Sequence, residues 1–169
     1  MATSAQQDFL LSPYWVDGLG TPGFDWERFQ DKIDALSENL YNLLIDEATS
    51  DFIKTLAQKY PQLGVQGPDV ARIIRDVILA DVYIGDMPAQ ISSKLGIDQN
   101  MATEIARAIV SQLFAPVIDD IKKLQLQKFG KLPGPSAPQQ PQQARPPQHI
   151  AGEELPETGG NIIDLRGQK

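Results

Sequence analysis

Cysteine is absent from this chain, which excludes disulfides and thiolate metal sites. Histidine is nearly absent: the one copy, His149, lies in a stretch of proline and glutamine. No serine or threonine therefore has an imidazole in its own helical segment to activate it. A di-iron bundle would need Glu-x-x-His pairs, and there are none. Gly64, Gly67 and Pro68 do not make a phosphate loop, because no Gly-Lys-Ser/Thr ending follows. The carboxylates are scattered. Asp119 and Asp120 are adjacent, so on a helix they point in different directions. Asp81, Asp86 and Asp98 flank helix ends, where capping accounts for them. The residues point to no catalytic group, no metal site and no cofactor, and hence to a protein that is not an enzyme.

Long apolar runs are missing as well. The most apolar region, "VARIIRDVILADVYIG", is interrupted by Arg72, Arg75, Asp76 and Asp81, whereas a membrane span needs roughly 18 or more apolar residues with few charges. The opening "MATSAQQDFLLSPYWVDG" has no basic start and only a short apolar run, unlike a signal peptide. The expectation is a cytoplasmic protein with no membrane partner. The net charge is −7, and an acidic surface repels phosphate backbones and anionic lipid.

What is present is helical periodicity. In "DWERFQDKIDALSENLYNLL" the apolar residues Trp26, Phe29, Ile33, Leu36, Leu40 and Leu43 recur at steps of three and four, the stripe of one helix facing a core. A second helix, "SDFIKTLAQKY", takes Ser50 as N-cap and stops at Pro61. A third, "PDVARIIRDVILADVYI", opens on Pro68, buries Val70, Ile73, Ile74, Val77 and Ile78, and ends at Gly85. A fourth, "PAQISSKL", runs from Pro88 to a stop at Gly96. The fifth, "DQNMATEIARAIVSQLF", is capped by Asp98 and turns Met101, Ile105, Ile109 and Leu113 inward. Pro116 kinks or divides the chain before a sixth segment carrying Val117, Ile118, Ile121, Leu124 and Phe129. No alternating run of strand length occurs. These patterns predict an all-α bundle of about six helices over residues 24–130.

Ahead of the bundle, residues 1–23 form an irregular arm with Pro13, Gly18, Gly20, Pro22 and Gly23 among Phe9, Leu10, Leu11, Tyr14, Trp15 and Val16. Leaving so much aromatic surface in water is unfavourable. The arm either packs back on the bundle or docks on a partner, which makes Tyr14 and Trp15 candidate contact residues.

Two segments echo each other. "LGVQGPDVARIIRDVI" and "LGIDQNMATEIARAIV" align at an offset of 32, with Leu63/Leu95, Gly64/Gly96, Ile73/Ile105 and Arg75/Arg107 identical. Glycine can take the left-handed conformation that ends one helix before the next begins. Each copy is thus expected to form an αα-hairpin with the same apolar face. The second also resembles a DNA-binding helix-turn-helix, with Gln99, Asn100 and Thr103 near the start of its second helix. Asp86, Asp98 and Glu104 against Lys94 and Arg107 leave it without a basic face, so packing rather than nucleic-acid binding is expected.

From "TSDFIKTLAQKY" through "SQLFAPVIDDI", together with "NIIDL" near the end, the chain resembles uncharacterised small helical proteins of candidate-phyla (Patescibacteria-type) bacteria. Those proteins share an "LGI…A…IA" helix, an "LF-x-PV" kink and a short "N-[IV]-[IV]-D-L" peptide after a linker. The resemblance covers roughly residues 49–125 and 161–165. It implies an all-α fold and a bacterial cytoplasmic setting, and it implies no activity.

Residues 131–152 are rich in proline and glutamine, a composition that buries too little apolar area to offset chain entropy and predicts disorder. In the tail peptide, residues 153–169, Leu155–Gly159 satisfies the sortase pattern L-P-x-T-G, but no apolar span or basic end follows it. Beyond it stand Ile162, Ile163, Asp164, Leu165 and Arg166, three large apolar residues on a polar tether, the composition of a short peptide that docks on a partner's groove. The expected function is a non-catalytic interaction or adaptor protein, binding an unidentified protein or itself. The alternatives are a helix-turn-helix DNA-binding regulator and a sortase-anchored surface protein.

Truncation after Gly130 is expected to leave helical content and melting cooperativity nearly unchanged, because the tail's composition contributes no buried apolar surface. Circular dichroism of the full and shortened chains checks this; a broadened or strongly lowered melt would show that the bundle needs the tail.

Overall fold

The computed structural model describes residues 11–17, 21–61 and 66–130. Among these residues the fold is an all-α bundle of six helices with no strand. The helices are α1 (Trp26–Asp34), α2 (Glu38–Ile45), α3 (Glu47–Lys59), α4 (Gly67–Ile78), α5 (Met87–Leu95) and α6 (Gln99–Phe129). The linker, the L-P-x-T-G pattern and the peptide residues Ile162, Ile163, Asp164, Leu165 and Arg166 lie outside the described residues, as do Leu63 and Gly64 of the internal echo.

The core is built on α4, whose Ile73, Ile74, Val77 and Ile78 are all fully buried, against Met87 and Ile91 of α5 and Ile105 and Ile109 of α6. Several helix ends follow the expected chemistry. Asp25 accepts a hydrogen bond from the Arg28 N–H at the start of α1. Asp98 accepts from both Asn100 and Met101 at the start of α6. Gly96, at φ +65°, closes α5 in the left-handed region and lets α6 begin three residues later. Ile73 and Ile105, equivalent in the echo, are both fully buried.

Three expectations are corrected, and the choice left open at Pro116 is decided. The stripe from Trp26 to Leu43 is not one helix: the chain leaves α1 at Ala35 and restarts α2 after Ser37, whose ψ of 154° is extended. The break is held from a distance, since Ser37 Oγ and Asn39 Nδ2 both donate to Asp120 Oδ2 on α6, at 3.2 and 2.9 Å. The new phase buries Leu44 fully, while Leu43 is half-buried and Trp26 is exposed. Ser50 is not an N-cap; it is buried inside α3, and Asp46 caps that helix by accepting from the Ala48 N–H. Asp46 also ends α2, so a single residue joins the two helices.

Nor does Gly85 end α4. The helix stops at Ile78, and the Asp81 N–H donates back to the Asp76 carbonyl at 2.7 Å, a Schellman-type closure. The left-handed position in that closure is held by Ala80, at φ 52°, where an L side chain costs about 1–2 kcal/mol and glycine is usual. Buried Gln125 of α6 secures the turn: its Oε1 accepts from the Ile84 N–H at 2.9 Å, and its Nε2 donates to the Val77 and Val82 carbonyls at 3.2 and 3.0 Å. Gln125 thus satisfies the Ile84 N–H and the Val82 carbonyl, and adds a second donor to the Val77 carbonyl, which also accepts from the Ala80 N–H.

Pro116 does not divide α6. Proline has no N–H to donate to the Gln112 carbonyl, and its ring would clash there. The chain takes a wide π-turn over Ile109–Phe114, then a tight turn over Ala115–Val117, and continues to Phe129. By length and composition α6 is also apolar enough to cross a membrane. Its residues Ile105, Ile109, Phe114 and Ile121 are fully buried in the bundle core.

Replacing Ile105 by Ala is expected to lower unfolding free energy by ~2–5 kcal/mol, and a neutral result in denaturant titration would break the core assignment. Gln125→Ala should cost about 1–3 kcal/mol by orphaning the Ile84 N–H and the Val82 carbonyl. Faster amide exchange at Ile84 would mark the loss as local to that turn.

Candidate interaction surface

Among the described residues the aromatic arm is part of the bundle. Residues 12–16 form a tight turn, with the Val16 N–H donating to the Ser12 carbonyl at 2.9 Å. The turn is pinned to the end of α2: the Tyr14 N–H and Ser12 Oγ both donate to the Leu44 carbonyl, at 3.3 and 3.4 Å. Val16 is buried, and Leu11 lies over α4 where a Cβ on Gly67 would come within 2.6 Å of Leu11 Cδ2. Gly67 is what gives Leu11 room.

The strongest anchor is electrostatic. Asp17, 5% exposed, faces two arginines of α4. Arg72 Nε donates to its Oδ1 at 2.8 Å, and Arg75 Nη1 donates to its Oδ2. Thr21 Oγ1 adds a third donor at 3.1 Å. Arg75 is itself buried, at 8% exposure. Its Nη2 also donates to Asp76, which Lys94 approaches at 3.5 Å, and Arg72 pairs with Asp69. Above the Arg75 guanidinium stand the rings of Phe24 and Phe29, with centroids 5.5 and 5.9 Å away.

On this base the aromatic residues assemble edge to face. Tyr14 meets Phe29 at 5.5 Å, Phe24 meets Trp26 at 4.9 Å, and Trp26 meets Phe29 at 5.6 Å. Trp15 and Trp26 complete the group at its solvent side, 6.3 Å apart and 42% and 39% exposed. Of the two arm residues singled out from the sequence, Tyr14 is half-buried and Trp15 is exposed. Trp26 belongs with them. Its place on the stripe suggested core, and only the folded arm shows otherwise. Asp17 and Arg75 had no sequence signal linking them, being 58 residues apart.

Two open concave places lie elsewhere among the described residues. One, of about 310 Å³, is lined by Asp81, Val82, Tyr83, Asp86, Gln90 and Phe129. Burial raises the Asp81 carboxyl, but Lys32 at 2.6 Å and Lys128 at 2.9 Å outweigh this and hold it below its ordinary value. A second, of about 230 Å³, lies where Leu36 and Ser37 meet Asp120 and Lys123. In the α5–α6 hairpin, Gln99 and Asn100 are exposed, and the Thr103 hydroxyl donates to the Gln99 carbonyl at 2.7 Å. Among the described residues no group of three His, Asp or Glu side chains converges to hold a metal ion. No family model, curated protein or solved structure matches the chain.

Burial alone would raise the Asp17 pKa, but the hydrogen bonds and charges of Arg75 and Arg72 outweigh it and hold the carboxyl below its ordinary value. A depressed folded pKa stabilises fully above the unfolded value of about 4 and is lost as pH falls through the folded one. The bundle should therefore lose stability below about pH 4. Asp17→Asn should cost about 3 kcal/mol at pH 7 and flatten that acid limb. Denaturant titration from neutral to acidic pH checks both, and an unchanged slope would remove Asp17 from the acid response.

Proposed function

We propose that this protein is a soluble, cytoplasmic, non-catalytic interaction module. The bundle presents the Trp15–Trp26 patch to a partner protein, and the Ile162–Arg166 peptide provides a second, tethered contact. The observation that carries this reading is the exposure of both tryptophans of the chain, side by side, on a base fixed by the pairing of buried Asp17 with buried Arg75 and part-buried Arg72. Burying a large apolar side chain is worth about 1.5–3 kcal/mol, and this surface forgoes part of that, since Trp15 and Trp26 remain 42% and 39% exposed. Tryptophan and tyrosine are also the side chains most enriched among the few residues that dominate interface energies. A rigid base adds to this, because aromatic anchors already held in place lose little freedom on binding. The tail contact follows from composition alone: a peptide bound weakly by itself gains from the high local concentration its tether imposes once the bundle is held.

The test is affinity purification with the full chain and two variants. Trp15→Ser/Trp26→Ser should lose the bound partner while the far-ultraviolet circular dichroism spectrum is retained. Ile162→Ser/Ile163→Ser/Leu165→Ser should weaken capture without abolishing it. Undiminished capture by the tryptophan variant would overturn the patch as the contact site.

A further inference from the structure

The charge of the chain is unevenly placed. Residues 24–51 carry eight acidic side chains against Arg28 and Lys32, a net of −6, and all eight are exposed. Residues 52–130 carry nine basic and eight acidic side chains, a net of +1. The exposed large apolar residues are distributed in the same way. Trp15, Trp26, Tyr41 and Ile45 belong to the arm, α1 and α2, and only Leu126 lies elsewhere among the described residues. Tyr41 and Ile45 are one turn apart on α2, so they share a face. The arm turn links the two ends of this surface, since Tyr14 bonds to the carbonyl of Leu44 beside Ile45 and packs on Phe29 of α1.

We infer that the exposed faces of α1 and α2, with Trp15, form a docking surface for a basic amphipathic helix of a partner protein. This rests on the interaction-module reading and specifies the partner's chemistry. Exposed apolar side chains on helices that also carry an excess of exposed carboxylates are complemented by an apolar stripe accompanied by lysine and arginine. A second copy of this chain presents the same acidic surface and is repelled. Nucleic acid and anionic lipid are repelled for the same reason. The dense acidic rim also steers a basic partner during encounter, so the association rate should fall as salt rises.

Both tryptophans lie in the surface, so intrinsic fluorescence of the full chain reads it directly. The probe is a Leu/Lys amphipathic helix of about 18 residues, long enough to cover several turns, compared with a Leu/Glu peptide of the same pattern. The Leu/Lys peptide should give a saturable blue shift that weakens about fivefold between low and physiological salt. Glu38→Gln/Glu47→Gln should weaken it about fivefold. Glu104→Gln/Asp119→Asn, which removes the same charge from α6, should change it less than about twofold. No shift with Leu/Lys, equal binding of Leu/Glu, or equal losses in the two charge variants would each overturn the inference. So would a tryptophan-dependent partner whose contact segment proved acidic, and that result would leave the interaction-module reading standing.

Discussion

Burying the Arg75 guanidinium is the constraint from which much of the molecule follows. Removing an isolated cation from water costs several kcal/mol unless a counter-charge and hydrogen bonds come with it. Asp76 supplies part of that from the same helix, and Asp17 supplies the rest from the arm. The arm is therefore held at Asp17, and its turn is carried onto the end of α2. Phe24 and Phe29 close over the guanidinium face, Trp26 packs on those two rings, and Trp15 packs on Tyr14 and Trp26. The exposed aromatic patch is the outer layer of a stack whose inner layer is an ion pair.

The same constraint separates the two halves of the internal echo. Arg75 and Arg107 occupy equivalent positions in two hairpins with the same buried isoleucines, yet Arg75 is buried and paired while Arg107 is exposed. The difference comes from what packs alongside. The arm covers the α4 arginine, and nothing equivalent covers that of α6 among the described residues. A pattern repeated in the sequence thus takes two different environments in the fold.

The legible parts of the fold were those decided locally. The α4 face, the Pro88 and Gly96 limits of α5 and the Asp98 cap of α6 depend on residues within a turn of each other, and periodicity with cap chemistry recovers them. The misread parts were decided across the chain. The Ser37 break is stabilised by Asp120, 83 residues away, and two helices happening to share a phase read as one stripe. The turn after Ile78 carries alanine where glycine would have announced it, and its security comes from Gln125. For the candidate surface, aromatic density marked Tyr14 and Trp15, but Trp26 joins them only through an arm geometry set by the Asp17 pair. The comparable signal for Ile162–Leu165 was a compositional contrast, apolar residues at the far end of a polar linker.

The wide turn in α6 has a geometrical consequence. Six of its buried residues, Ile105, Ile109, Leu113, Val117, Ile121 and Gln125, recur at every fourth position. A uniform α-helix turns about 100° per residue, so each such step would advance the row about 40° around the axis and five steps would carry it about 200°. An under-wound π-turn cancels part of that drift, and the remainder winds the buried row around the rod. One helix can then seat against α5 at its beginning and reach the α4–α5 connection at its end, lacing together neighbours that no straight apolar stripe would touch in succession.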